Sequence, residues 1–127
     1  MKNKSEEILV VQVATAGLAA FMQVTGLCRE EFTGLHDVNG IEELVFVDKP
    51  QLLITGIISD QSSDVAVLVS ELRQKNPQLV VVTYSSCKIV GDCFDMQIEK
   101  MDKDSGRRVV RVLEEFRAGI LRRKVTK

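Results

Sequence analysis

Three short apolar runs punctuate this chain, each too brief for a helix and rich in β-branched side chains. Ile8-Leu9-Val10-Val11-Gln12-Val13, Gln51-Leu52-Leu53-Ile54-Thr55 and Leu79-Val80-Val81-Val82-Thr83 carry apolar residues on both alternating faces, as strands buried between two layers do. Between the second and third runs, Ser62-Ser63-Asp64 leads into Val65, Leu68, Val69 and Leu72 at helical spacing, and Asn76-Pro77 follows. That order predicts an N-cap, an amphipathic helix and a stop. Strand, helix and strand then form a β-α-β crossover, which makes the two strands parallel.

The remaining segments fit the same alternation. Ala14 to Leu27 is Ala-rich, with Leu18, Phe21, Met22 and Leu27 apolar, and predicts a first helix ending near Gly26. A short strand is expected over Glu31 to Leu35. Gly40 to Val47 has partly helical composition, opposed by the β-branched and aromatic Val45-Phe46-Val47. Phe94, Met96 and Ile98 alternate with Asp95, Gln97 and Glu99, the pattern of an edge strand with one wetter face. From Ser105 to about Lys124, Val109, Val112, Leu113, Phe116, Ile120 and Leu121 make one apolar stripe, so a long closing helix is expected. No repeat or Pro/Gly linker interrupts five strand and helix units, which predicts a single α/β domain over residues 1–127.

Composition removes several classes of function. At 127 residues there is room for one core only. Aromatics are 5% of the chain and Trp is absent, too few for a platform that stacks single-stranded nucleic acid. One histidine, His36, and three cysteines, Cys28, Cys87 and Cys93, follow neither zinc nor C-x-x-C redox spacing and read as free thiols. The apolar run from Ile8 is short, is broken by Gln12 and follows Glu6-Glu7, so it is neither a signal peptide nor a membrane span, and a cytoplasmic protein is expected.

In an open α/β sheet ligands gather beyond the carboxyl ends of the strands. Here those ends carry Gln12 and Val13, then Gly56, then Thr83, then Lys100. In order and spacing the chain resembles the receiver domains of two-component response regulators over nearly its whole length. Lys49-Pro50-Gln51-Leu52-Leu53-Ile54 is similar to the lead into that family's third strand. Asn76-Pro77-Gln78-Leu79-Val80-Val81-Val82-Thr83 is similar to its fourth, ending in the switch hydroxyl, and Lys100 stands where its lysine follows the fifth strand. The resemblance implies a flavodoxin-like three-layer α/β/α sandwich around a five-stranded parallel sheet.

Where such receivers place a pair of magnesium-binding acids, this chain has Gln12 and Val13, and where they place the phospho-acceptor aspartate it has Gly56. An amide and an isopropyl group offer a hard cation no charge, and glycine offers no nucleophile. The resemblance thus implies a pseudo-receiver with a degenerate phosphorylation site, no enzymatic activity and no cofactor. Asp60 and Asp64, after the third strand, read as acids stabilising the start of a helix. Thr83 and Lys100 are only 17 residues apart and Ser85 to Asp92 has no helical stripe, so the fourth helix of the family is expected to be shortened or lost.

Charge adds a surface to this picture. From Lys103 onward there are nine Lys/Arg against three Asp/Glu, a net +6 that leaves −7 for the rest of a chain of net charge −1. Arg107, Arg111 and Arg117 on the closing helix are candidates for docking an acidic surface of a signalling partner, an output domain or a second copy of the chain. No helix-turn-helix, finger or arm accompanies them, which argues against nucleic acid. The alternative function is a small-molecule or nucleotide-binding flavodoxin-like domain, supported by Ala14-Thr15-Ala16-Gly17, where a turn and helix start follow the first strand.

Overall fold

The computed structural model describes residues 6–12, 17–36, 40–56, 62–85 and 94–122, with only the backbone of 62–66. Five strands, β1 (Ile8–Val11), β2 (Thr33–Leu35), β3 (Gln51–Thr55), β4 (Leu79–Ser85) and β5 (Met96–Glu99), form one sheet in the order β2-β1-β3-β4-β5. Every neighbouring pair is parallel. Four helices are described: α1 (Gly17–Thr25), α2 (Ile41–Leu44), α3 (Ser62–Lys75) and α4 (Ser105–Arg117), with a 3₁₀ turn at Arg29–Glu31. The architecture is a flavodoxin-like α/β fold, as the resemblance implies.

Strand alternation assigns the helices to faces. Ile8, Val10, Leu52, Ile54, Val80, Val82 and Ile98 cluster with Phe21 of α1 and with Val109, Val112, Leu113 and Phe116 of α4. Leu9, Val11, Leu53, Leu79 and Val81 cluster instead with Ile41 of α2 and Val69 and Leu72 of α3. All residues of β1, β3 and β4 are buried, which is why their sequences lack the alternation of a half-wet strand. Only Ile98 of β5 is buried, as suits an edge.

The boundaries of α2, β2 and α4 differ from the sequence expectation, each for a local reason. Between Gly40 and Val47 only Ile41–Leu44 is helical; Val45 turns to extended backbone and fills the core at 2% exposure, while Val47 lies in solvent. β2 is shorter than Glu31 to Leu35, because Glu31 belongs to the 3₁₀ turn and its carboxylate accepts from the Cys28 N–H. The closing helix stops at Arg117 rather than near Lys124. Gly119 takes a φ of +79°, the left-handed geometry that ends helices, and the N–H groups of Ala118, Gly119, Ile120 and Leu121 turn back onto Glu114, Glu115 and Phe116. Ile120 is therefore exposed rather than part of the stripe. Arg122 completes this end, donating to the Phe116 carbonyl at 2.7 Å and lying over the Phe116 ring.

Elsewhere α1 closes at Thr25, before Gly26 at φ +74°. Asn76 ends α3 as a buried bracket: its amide donates to Lys49 O and its oxygen accepts from the N–H groups of Lys49 and Gln78. Residues 86–93, where a fourth helix of receiver type is expected to be shortened or lost, lie outside the described residues, as do Val13, Asp60, Cys87, Cys93 and the turn Ala14-Thr15-Ala16; the side chain of Asp64 does too.

Candidate functional site

The order of connection across the parallel sheet reverses between β1 and β3, so their carboxyl ends mark the position where ligands gather in this architecture. Val11 is in register with Thr55, so the next residues, Gln12 and Gly56, sit side by side. The Gly56 N–H donates to Val11 O at 2.8 Å and the Gln12 N–H to Leu35 O at 2.9 Å. These bonds fix the Gln12 backbone between two strands, and its side chain folds over the end of the sheet.

Gln12 is 1% exposed. Its amide nitrogen lies 3.0 Å from Val11 O and 3.5 Å from Tyr84 O, and its amide oxygen accepts from Lys100 Nζ at 2.5 Å. The Lys100 ammonium also sits 5.1 Å from the centre of the Tyr84 ring, within reach of a cation–π attraction. Burial nevertheless pulls the Lys100 pKa below the ordinary lysine value.

Glycine at two positions makes room for this arrangement. A Cβ on Gly56 would lie 2.7 Å from Gln12 Nε2 and 2.9 Å from the Tyr84 carbonyl oxygen; one on Gly17, at the start of α1, would lie 2.8 Å from Gln12 Cβ. The space beside Gly56 is thus filled by the Gln12 amide. No side chain can be added at 56 unless that amide moves.

Of the residues singled out from sequence, the structure joins Gln12, Gly56 and Lys100. Thr83 is buried but one step back along β4, in register with Thr55 and Gln97, and by alternation belongs to the α2/α3 face. Among the described residues the neighbouring Thr55 Oγ1 has no hydrogen-bond partner. Tyr84, which sequence reasoning passes over, supplies both a carbonyl and a ring to the cluster. Alternation puts the residue after Thr83 on the same side as Gln12 and Gly56, and the register of β4 brings it beside them. A magnesium site of receiver type does not fit these residues: Gln12 offers an amide already engaged by Lys100, Gly56 offers nothing, and among the described residues no three His, Cys, Asp or Glu gather as a metal site.

The arginines of α4 divide by their partners. Arg117 reaches Glu31 at 3.3 Å, and the Glu31 carboxyl is held below its usual range first by Cys28 and then by Arg117. Arg111, 79% exposed in its side chain, is 3.6 Å from Glu115 one turn on, a pairing of little energetic weight. Arg107 makes no ion pair among the described residues. Lys103, in the turn before α4, and Arg107 and Arg111 on one side of the helix lie beside a shallow groove with Val24 and Val110 in its lining and Glu114 at one end. Gly106 lets α1 approach there, as a Cβ would sit 3.1 Å from Val24. The thiol of Cys28 is free and exposed, and among the described residues no helix is long and apolar enough to cross a membrane. No family model matches the chain, and neither the curated proteins nor the solved structures include one that matches it.

Proposed function

We propose that this chain is a pseudo-receiver: a receiver-like signalling domain that takes up no phosphoryl group and acts by binding a protein partner. The observation carrying this reading is the Gln12 amide, which fills the space beside Gly56 and engages Lys100. In a receiver the lysine would answer to a phosphorylated carboxylate; here its hydrogen bond goes to an uncharged group fixed by the sheet. A nucleophile is missing at 56, and a dication would lose water at Gln12 without gaining a carboxylate. With covalent switching removed, differential association is what remains to set the state of the domain. The row Lys103, Arg107 and Arg111 supports docking of an acidic surface, because among the described residues its members make at most a weak ion pair. Arg117 is occupied by Glu31 and serves the fold first.

Two experiments test this. Acetyl phosphate or beryllofluoride with magnesium should leave the amide signals of Gly56, Thr83 and Lys100 unmoved; a specific, saturable shift there would sink the reading. Reversing Arg107 and Arg111 to Glu should weaken binding to a partner identified by cross-linking, or self-association measured by sedimentation, without changing the melting temperature. Unchanged affinity would reduce the row to a solvated face.

A further inference from the structure

The α1/β2 edge of the molecule carries a feature that the partner-docking reading does not use. A cleft of about 620 Å³ opens between helix and strand, lined by Leu18, Met22, Phe32 and Gly34 with Arg29 and His36. Its volume lies in the range of small-ligand sites. We propose that this cleft binds a small amphipathic carboxylate, apolar chain against the sheet and anionic head at the basic rim.

Glycine lets α1 lie close over the strand. Residues 32, 34 and 36 share one face of the strand by alternation, and between Phe32 and His36 the side chain is missing. A Cβ at 34 would already lie 3.0 Å from Leu18 Cδ1 and 3.2 Å from Phe32. A side chain at 34 would have to push Leu18 and Phe32 aside, and so would reshape the floor. Phe32 is buried and stacks edge-on against Phe21 at 5.4 Å between ring centres, so the apolar wall is anchored in the core. From Phe32 to His36 the strand covers about 13 Å, the length of an extended chain of roughly ten carbons.

The polar groups select the sign of the ligand. Arg29, in the 3₁₀ turn, makes no ion pair among the described residues, and no acidic side chain is among the residues described as lining the cleft. Glu31, two residues away, is committed to the Cys28 N–H and Arg117. The His36 Nδ1 lies 3.3 Å from the Gln12 carbonyl oxygen, so Nδ1–H donates there and holds the ring at the strand end, leaving Arg29 as the group that takes the anionic head. A guanidinium that lacks an internal carboxylate partner takes one from a ligand through paired charge-assisted bonds. The smaller opening at the other end of β2, about 160 Å³, is lined by Glu6 and Glu43 and has the opposite charge.

Decanoate and decanol separate chain from charge. In nitrogen-15-labelled protein, decanoate should shift the Leu18, Met22 and Gly34 amide signals saturably, and decanol should bind at least about fivefold more weakly. Gly34→Val, at an exposed strand position suited to a β-branched residue, displaces Leu18 and Phe32 from the floor and should abolish those shifts. Arg29→Glu, on the surface, should weaken decanoate about tenfold with an unchanged circular dichroism spectrum. Equal binding of the two probes would overturn the proposal. So would shifts scattered over the molecule, the absence of any shift, or decanoate binding that survives both substitutions. None of these outcomes bears on the partner-docking row of α4, which lies on another surface of the molecule.

Discussion

Two glutamines are buried in this sheet, and they are held by different means. Gln51, at the amino end of β3, is wholly inaccessible, and backbone satisfies it completely: its amide nitrogen donates to Glu6 O and Leu44 O at 2.9 Å each, and its oxygen accepts from the Phe46 N–H at 2.9 Å. Gln12, past the carboxyl end of β1, bonds backbone at 3.0 and 3.5 Å and leaves its oxygen to a lysine. The first closes a fold; the second closes a crevice where sites of this architecture occur. A buried amide satisfied by main chain is structural cement. One whose partner is a half-buried lysine instead ties two strand ends together through a side chain.

The largest effect should come from the structural glutamine. Gln51→Leu strands one N–H and two carbonyls that tie the first loop and α2 to β3, and should cost roughly 3–4 kcal/mol in chemical denaturation; a loss below about 1 kcal/mol would show that water replaces the amide readily. Next comes Gly56→Ala, at about 2–3 kcal/mol from overpacking. Combining it with Gln12→Ala should recover only part, since the clash with the Tyr84 carbonyl persists. Complete recovery would mean the backbone yields easily.

Lys100→Met should cost about 1 kcal/mol, because the Gln12 oxygen loses its donor; a double-mutant cycle with Gln12→Met reads the coupling directly. The smallest effect is in pH. Burial lowers the folded-state pKa of Lys100 below its unfolded value, so between the two the unfolded chain holds more protons, and stability rises with pH across that window. Below the folded pKa the penalty for the buried charge is present in full. Relative to Lys100→Met, the parent should gain stability as pH climbs toward the ordinary lysine pKa of about 10.4, and a flat or falling difference would refute the burial argument.

Much of this was legible in the chain because buried parallel strands write themselves plainly. Leu52-Leu53-Ile54 and Val80-Val81-Val82 leave little else to predict, and the resemblance in spacing brought Gln12, Gly56 and Lys100 forward together. Less was legible where one residue decides a local geometry. Gly119 ends α4 through a positive φ, yet Ile120 and Leu121 continue the apolar spacing beyond it, so periodicity overran the true end. Val45 reads equally as helix or strand and is neither, being drawn into the core by its side chain alone. Tyr84 stayed hidden because its part in the cluster depends on long-range register, Tyr84 opposite Ile98 and Thr83 opposite Thr55, which no local pattern reports.

Gln12, Gly17 and Gly56 also constrain the order in which they can be exchanged. A side chain added at 17 or 56 while Gln12 is present meets it at under 3 Å. Shrinking Gln12 first deprives Lys100 of its acceptor and opens a hole at the end of the sheet. Every single step away from the present set passes through a poorer intermediate, so the three positions are expected to drift as a group or not at all, a form of epistasis that would keep the crevice shut long after any reason for closing it had gone.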